Sequence, residues 1–207
     1  MLCFDIGANI GRWTDLNKNN YTKIIAIDGS LNIYQILKRH LEQFSNCECI
    51  NYVVCNNNNN PINFYECNTN LLSTINKELY ENQKSRYYNK FTYEEKIYNS
   101  ITLDKLIEIY GIPDLIKIDV VLGEFSVISS LHQKVPLICF NWFSEFNEIS
   151  FNCLDYLLTL GFNNFYIQYE DKYDFKPNDN EYNSIELIKD ELNKTIPKEH
   201  WGMIWCK

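Results

Sequence analysis

The segment Asp5-Ile6-Gly7-Ala8-Asn9-Ile10-Gly11 directly follows the apolar run Leu2-Cys3-Phe4. A buried strand that runs into a glycine-punctuated loop and then a helix brings backbone amides against a nucleotide-like cofactor. The spacing discriminates between cofactors. A dinucleotide fingerprint needs glycine at its first, third and sixth positions, but the third position here is Asn9 and the sixth, counted from Gly7, is Arg12. Asparagine tolerates a left-handed backbone, so Asn9 keeps the tight turn and adds a polar side chain. That variant suits S-adenosylmethionine (SAM) better than a pyrophosphate. Asp28 ends the next apolar run, Lys23 to Ile27, at roughly the twenty-residue distance expected of a carboxylate that accepts both hydroxyls of a ribose. Val53, Val54 and Asn56 follow a third apolar run and offer an apolar wall with one amide, which suits a purine.

Strands alternating with helices must position these residues. After the first loop we expect a short helix from Trp13 to Asn19, a strand from Lys23 to Ile27, and a helix capped by Ser30 that carries Ile33, Ile36, Leu37 and Leu41 at helical spacing. Cys49 to Val54 reads as one strand and Ile62 to Tyr65 as part of a small hairpin, while Leu71 to Tyr98 carries no clear period. Thr102 caps a helix that Gly111 ends, and Leu115 to Asp119 is the next strand. Leu137 to Phe140, Phe165 to Gln168 and Met203 to Trp205 read as strands, with helices near Phe151 to Leu160 and Ser184 to Leu192. This alternation predicts a single α/β domain over residues 1–207, a mostly parallel sheet covered on both faces. Ligands in such sheets bind beyond the carboxyl ends of the strands.

Composition narrows the partners. The formal net charge of −8 over 207 residues, with no basic stripe, argues against a nucleic-acid partner. The absence of a leader-like or bilayer-length apolar segment predicts a cytoplasmic protein with no membrane partner. Eight cysteines are scattered, and Cys3, Cys55 and Cys139 lie in apolar runs that suit free buried thiols. Cys47 and Cys49 have the wrong spacing for zinc. Heavy use of asparagine, isoleucine, lysine and tyrosine, with the tract Asn56 to Asn60, is what an AT-rich genome encodes.

Four motifs in order, Phe4-Asp5-Ile6-Gly7-Ala8-Asn9-Ile10-Gly11, Ala26-Ile27-Asp28-Gly29-Ser30, Ser100-Ile101-Thr102-Leu103-Asp104 and Asp114-Leu115-Ile116-Lys117-Ile118-Asp119-Val120, resemble FkbM-type SAM-dependent methyltransferases. Trp201-Gly202-Met203-Ile204 is a looser echo. The resemblance implies a Rossmann-like class I methyltransferase fold, a seven-stranded sheet ending in an antiparallel hairpin, and methyl transfer from SAM to a hydroxyl of a sugar, glycan or other small acceptor. By motif position, Asp5, Gly7, Asn9 and Gly11 would border the methionine part of SAM, Asp28 its ribose, and Val54 with Asn56 its adenine. Ala8, Gly29 and Ser30 complete the implied cofactor-binding set. Asp119 would lie beside the transferable methyl.

The chain departs from the family pattern after that aspartate. Where the family continues with Glu-Gly, this sequence has Val121 and Leu122 before Gly123 and Glu124, and where the family has Glu before an aromatic it has Asn141 before Trp142. Gly123 would be expected to take over the missing glycine with a shifted loop. Asp119 and Asn141 are then the candidate catalytic pair. They also resemble part of the divalent-metal set of catechol-type O-methyltransferases, which would suit magnesium. Ser73 and Thr74 stand where the family often has a serine pair near the acceptor, and the stretch Tyr87 to Tyr93 offers rings for a sugar or for packing. His40, His132 and His200 have no sequence partner that would make one a base. The competing expectation is a degenerate SAM-binding or scaffold protein with little catalysis. Edge strands and tyrosines would suit a homodimer.

Overall fold

In the computed structural model, residues 1–58 and 60–207 are described; residue 59, within the asparagine tract, lies outside them. β1 (Leu2–Ile6) lies between β2 (Lys23–Asp28) and β7 (Leu115–Ile118), parallel to both. The full sheet runs β3-β2-β1-β7-β8-β10-β9, with β3 (Cys47–Asn51), β8 (Ile138–Phe143), β9 (Phe165–Tyr169) and β10 (Trp201–Cys206). β10 pairs antiparallel with both β8 and β9, so the expected antiparallel end of the sheet is present. Ile6 is level with Ile27 on one side and Ile118 on the other. The loops that follow these three strands therefore open at one edge of the sheet.

Alternation along the strands divides the core. Phe4, Ile6, Ile25, Ile27, Ile116 and Ile118 pack on one face, while Cys3, Ile24, Leu115, Cys139, Met203 and Trp205 pack with Trp13 on the other. The helices that cover the sheet are α1 (Arg12–Asn17), α2 (Leu31–Leu41), α4 (Leu103–Tyr110), α5 (Glu124–Ile128), α6 (Asn147–Thr159) and α7 (Ile185–Asn193); α3 (Glu78–Glu81) is a single turn. Ser30 accepts from Ile33 N and Thr102 from Lys105 N, so both expected N-caps are made.

Several elements differ from expectation, among them β8, which continues through Asn141 to Phe143 instead of ending at Phe140. The run Cys49 to Val54 is not one strand: β3 begins at Cys47 and ends at Asn51, whose Nδ2 donates to the carbonyls of Asp28 and Gly29. The chain then leaves the large sheet, and β4 (Val53–Val54) joins a second sheet of order β4-β6-β5 with β5 (Pro61–Cys67) and β6 (Tyr93–Ile101). β6 had no legible period because Glu94, Glu95 and Ile97 are exposed, and an apolar side chain among them breaks the pattern. α6 starts at Asn147 rather than near Phe151, because Asn147 Nδ2 reaches Leu192 O and Thr195 Oγ1 on the α7 side. All eight cysteines are free. Among the described residues no helix is long and apolar enough to cross a membrane.

Candidate active site

The loop after β1 is held by its own backbone. Gly7 N and Ala8 N both donate to Ile27 O at 2.9 Å, and Gly7 has φ +76° with no room for a side chain, since a Cβ there would meet Asp119 O at 2.0 Å. Asn9 adopts the expected left-handed backbone at φ 51°. Its Nδ2 donates to Asn70 O at 2.7 Å and its Oδ1 accepts from Asn70 Nδ2 at 3.0 Å, which ties the loop to the segment after β5. Gly11 caps α1 and lies against Leu37 and Leu41, behind the loop.

Asp28 receives two backbone amides. Asn9 N donates to its Oδ2 and Ser30 N to its Oδ1, both at 3.0 Å. Burial pushes its carboxyl up to about 7 while those two amides pull it down. One side of Asp28 faces a cleft of ≈ 630 Å³, whose wall includes Gly7, Gly29, Val53, Val54 and Phe64. Ser30 is buried beside the cleft as the cap of α2. Asp5 lies underneath it, fully buried, with Oδ2 accepting from Thr14 Oγ1 at 2.6 Å.

Asn56 is not brought to this cleft. Cys55 N donates to Ile101 O at 3.0 Å, which carries the chain along β6, and Asn56 ends exposed with its Oδ1 accepting from Ser126 Oγ at 3.2 Å.

Asp119 follows β7 and lines both this cleft and a wider one of ≈ 1340 Å³. Asn141 Nδ2 donates to Asp119 Oδ1 at 3.1 Å, and Lys117 Nζ lies 3.5 Å from Asp119 Oδ2 and 3.2 Å from Asp5 Oδ1. Lys117 and Asp5 are register partners on adjacent strands. Burial alone would lower the Lys117 pKa, but the carboxylates of Asp5, Asp119 and Asp171 outweigh it and raise it well above the usual range. The amide orientation of Asn141 is fixed chemically, since a carboxylate can only accept. Asn141 Oδ1 is then left buried without a partner.

The wider cleft has aromatic walls. Tyr87, Phe91, Phe143, Tyr173 and Trp201 line it, and Tyr87 and Phe91 also pack with Phe143 in one apolar cluster, so the stretch packs over the fold and presents two of its rings to the cleft. Arg86 anchors that stretch: its Nε and Nη2 each reach Glu145 at 2.7 Å, Nη2 also donates to His200 O at 2.8 Å, and the guanidinium lies 5.2 Å from the centre of the Phe143 ring. Ser73 lines the narrow cleft. Thr74 braces the loop below, donating to Val121 O at 2.5 Å. None of the three histidines lines either cleft.

Gly123 does not replace the missing glycine. Its φ is −100°, and Val121 at 53° and Leu122 at 62° take the left-handed conformations themselves. For a β-branched residue this is a costly conformation, held here by the Thr74 hydrogen bond and by burial of both side chains. Glu124 stands just beyond, buried, with Oε1 unpartnered; burial, followed by repulsion from Asp119, pushes its carboxyl up to about 8.

A metal does not fit the Asp119 and Asn141 pair. Asn141 presents its amide nitrogen to Asp119, an ammonium group occupies the other oxygen, and among the described residues no group of three or more His, Cys, Asp or Glu is arranged as a ligand set. Asp171, in contrast, went unrecognised in the sequence. It lines the wide cleft with Asp119 and Asn141. The strand-end rule that singled out Asp28 and Asp119 applies to it too, since it follows β9 by two residues.

The model of the methyltransferase FkbM domain matches residues 5–177. No curated protein matches the chain. Among solved structures, precorrin 8W decarboxylase from Methanobacterium thermoautotrophicum is similar over 100% of this chain and 81% of its own, at 10% identity and a TM-score of 0.50. Precorrin-6y C5,15-methyltransferase from Geobacter metallireducens aligns over 100% of this chain and 80% of its own, at 10% identity and a TM-score of 0.48. For a SAM-dependent methyltransferase from Archaeoglobus fulgidus the values are 100%, 85%, 13% and 0.42. The seven-stranded, mostly parallel sheet with its antiparallel end is a Rossmann-like fold, shared with the precorrin 8W decarboxylase structure.

Proposed function

We propose, from the premise that this chain belongs to the FkbM methyltransferase domain family, that it transfers the methyl group of SAM to a hydroxyl of a sugar or another small acceptor. One observation supports this reading above the others: the narrow cleft that holds Asp28 and the wide aromatic cleft share a wall of Leu71, Val121 and Asp119, and Asp119 is the one charged residue in it. A two-substrate displacement needs such a junction, because donor and acceptor must approach in line from opposite sides.

The residues of the narrow cleft suit SAM. Gly7 lines the cleft and lets the Asp119 backbone close against the loop, Asp28 offers a carboxylate to ribose hydroxyls, and Val53 and Val54 with Phe64 offer an apolar slot for the adenine. When bound, SAM supplies a methyl carbon already activated by its sulfonium. The protein then has to align the acceptor oxygen, exclude water and remove a proton. Asp119 and Asn141 are the groups we assign to the reacting end. In the wide cleft, aromatic rings with polar groups at the floor form the usual combination for a sugar, whose C–H faces stack while its hydroxyls bond. We place the protein in the cytoplasm as a single domain.

A degenerate binding protein is the second reading, supported by the apolar Val121 and Leu122 at the positions of the family's Glu-Gly. Calorimetry with SAM and its demethylated product, followed by labelled-methyl transfer to a panel of methyl glycosides, nucleotide sugars and small phenols with and without magnesium, separates the two. Micromolar SAM binding with transfer to a neutral hydroxylated acceptor is the expected result. Binding without transfer across the panel favours the second reading, and no binding removes both.

A further inference from the structure

Two carboxylates line the wide cleft, Asp119 and Asp171, and they differ in what they have left to offer. Both oxygens of Asp119 are engaged, one by Asn141 Nδ2 and the other by the Lys117 ammonium. Asp171 makes no hydrogen bond and no ion pair among the described residues, although it is partly buried. We propose that Asp171 is the general base of the reaction, taking the proton of the acceptor hydroxyl while the unpartnered Asn141 Oδ1 anchors that acceptor beside Asp119. The proposal rests on the methyl-transfer reading above.

The step balances. The hydroxyl oxygen forms its new bond to the methyl carbon, the carbon–sulfur bond breaks with its electron pair going to sulfur, and the O–H proton passes to the Asp171 carboxylate. A sulfonium cation and a carboxylate anion thus become a neutral thioether and a neutral carboxylic acid. No oxidant or other co-reactant is needed.

The surroundings tune Asp171 for this task. Lys117 on β7 faces three carboxylates, those of Asp5 on β1, Asp119 and Asp171; Cys139 on β8 and Tyr173 in the loop of Asp171 also feel its charge. Across the cleft, Arg86 is committed to Glu145. Burial pushes the Asp171 carboxyl up to about 6, with Lys117 pulling it down and Asp119 and Asp5 pushing it up. A base in that range accepts a proton during transfer and sheds it to water at neutral pH.

The test uses the full chain with Asp171→Asn and Asp171→Glu. Carbon-13 NMR of chain labelled at aspartate, with the Asp171 signal identified by its loss in Asp171→Asn, should show a midpoint near 6; a midpoint below 5 overturns the proposal without reference to any acceptor. In methyl transfer to the acceptor that the panel yields, Asp171→Asn should lower kcat by about 10²–10⁴-fold and remove the acidic limb of the pH–rate profile. SAM affinity by calorimetry should stay within about twofold, and Asp171→Glu should keep part of the rate and shift the limb. Retained rate and limb in Asp171→Asn overturn the proposal while leaving the methyl-transfer reading intact. Failure of the unsubstituted chain to bind SAM overturns both.

Discussion

Asn141 Nδ2 donates to Asp119 Oδ1 at 3.1 Å, and this single bond leaves the other end of the amide, Oδ1, buried and unpartnered beside the wide cleft that Asn141 lines. An unsatisfied buried acceptor costs about 1–3 kcal/mol, so the arrangement is a poor choice for stability and a good one for receiving a hydroxyl. Asn141→Leu should therefore unfold thermally at the same temperature as the parent or higher, because Asp119 is accessible enough to replace the lost donor with water. The same variant should bind acceptor roughly tenfold less tightly, the value of one hydrogen bond, with SAM affinity unchanged. A large fall in melting temperature would show instead that Asn141 is structural.

Lys117 is nearly sealed at 3% exposure, and its partner Asp5 is fully buried. Removing one member of a buried pair leaves an uncompensated charge, which costs about 3–5 kcal/mol. Lys117→Met should lower stability by that amount in urea titration with an unchanged m-value. Asp5→Asn added to it should recover a substantial part, since the stranded carboxylate is then gone. Strict additivity of the two losses would show that the pair is not coupled.

The legible parts of the site were those fixed by local chemistry. Gly7 and Asn9 announce a turn by their own φ preferences, Ser30 and Thr102 announce caps, and Asp28 and Asp119 sit where strands must end. Asp119 and Asn141 meet because β7 and β8 are neighbours, although Asn141 lies within β8 and not, as expected, after it. What could not be read depends on contacts distant in sequence. The left-handed Val121 and Leu122 are held by Thr74, 47 residues away from Val121, and nothing in their own types favours that backbone. Asn56 was misplaced because β4 abandons the large sheet for β6, whose own polar surface hid it. Asp171 follows an edge strand that returns to the site only after β10 is inserted between β8 and β9.

With Asp28 assigned to the ribose, cofactor affinity should depend on pH. The Asp28 carboxyl is raised to about 7 in the open cleft, whereas two ribose hydroxyls are accepted best by the ionised form, which offers both oxygens as strong acceptors. Below 7 a proton must first be lost, so SAM affinity should rise about tenfold between pH 6 and pH 8. Calorimetry in buffers of different ionisation enthalpy should detect proton release on binding near pH 6.5. Asp28→Asn should bind weakly and with no slope over that range; an equal slope in the variant would assign the proton elsewhere.

Glu124 should make the fold less stable as the solution becomes alkaline. Its folded carboxyl titrates near 8, well above its value in an unfolded chain, so between those two values the native state holds a proton that the unfolded state has lost. Stability therefore falls as pH rises through that window and is greatest at its acidic end. The buried position, with Oε1 unpartnered, makes the neutral form the one the site accepts, and Glu124→Gln supplies a neutral isostere at every pH. The variant should match the parent near pH 4.5 and exceed it at pH 8 by on the order of 3 kcal/mol, read as a widening gap between urea midpoints. A constant gap across the range would mean that Glu124 is ionised throughout, and that its buried oxygen is satisfied by solvent.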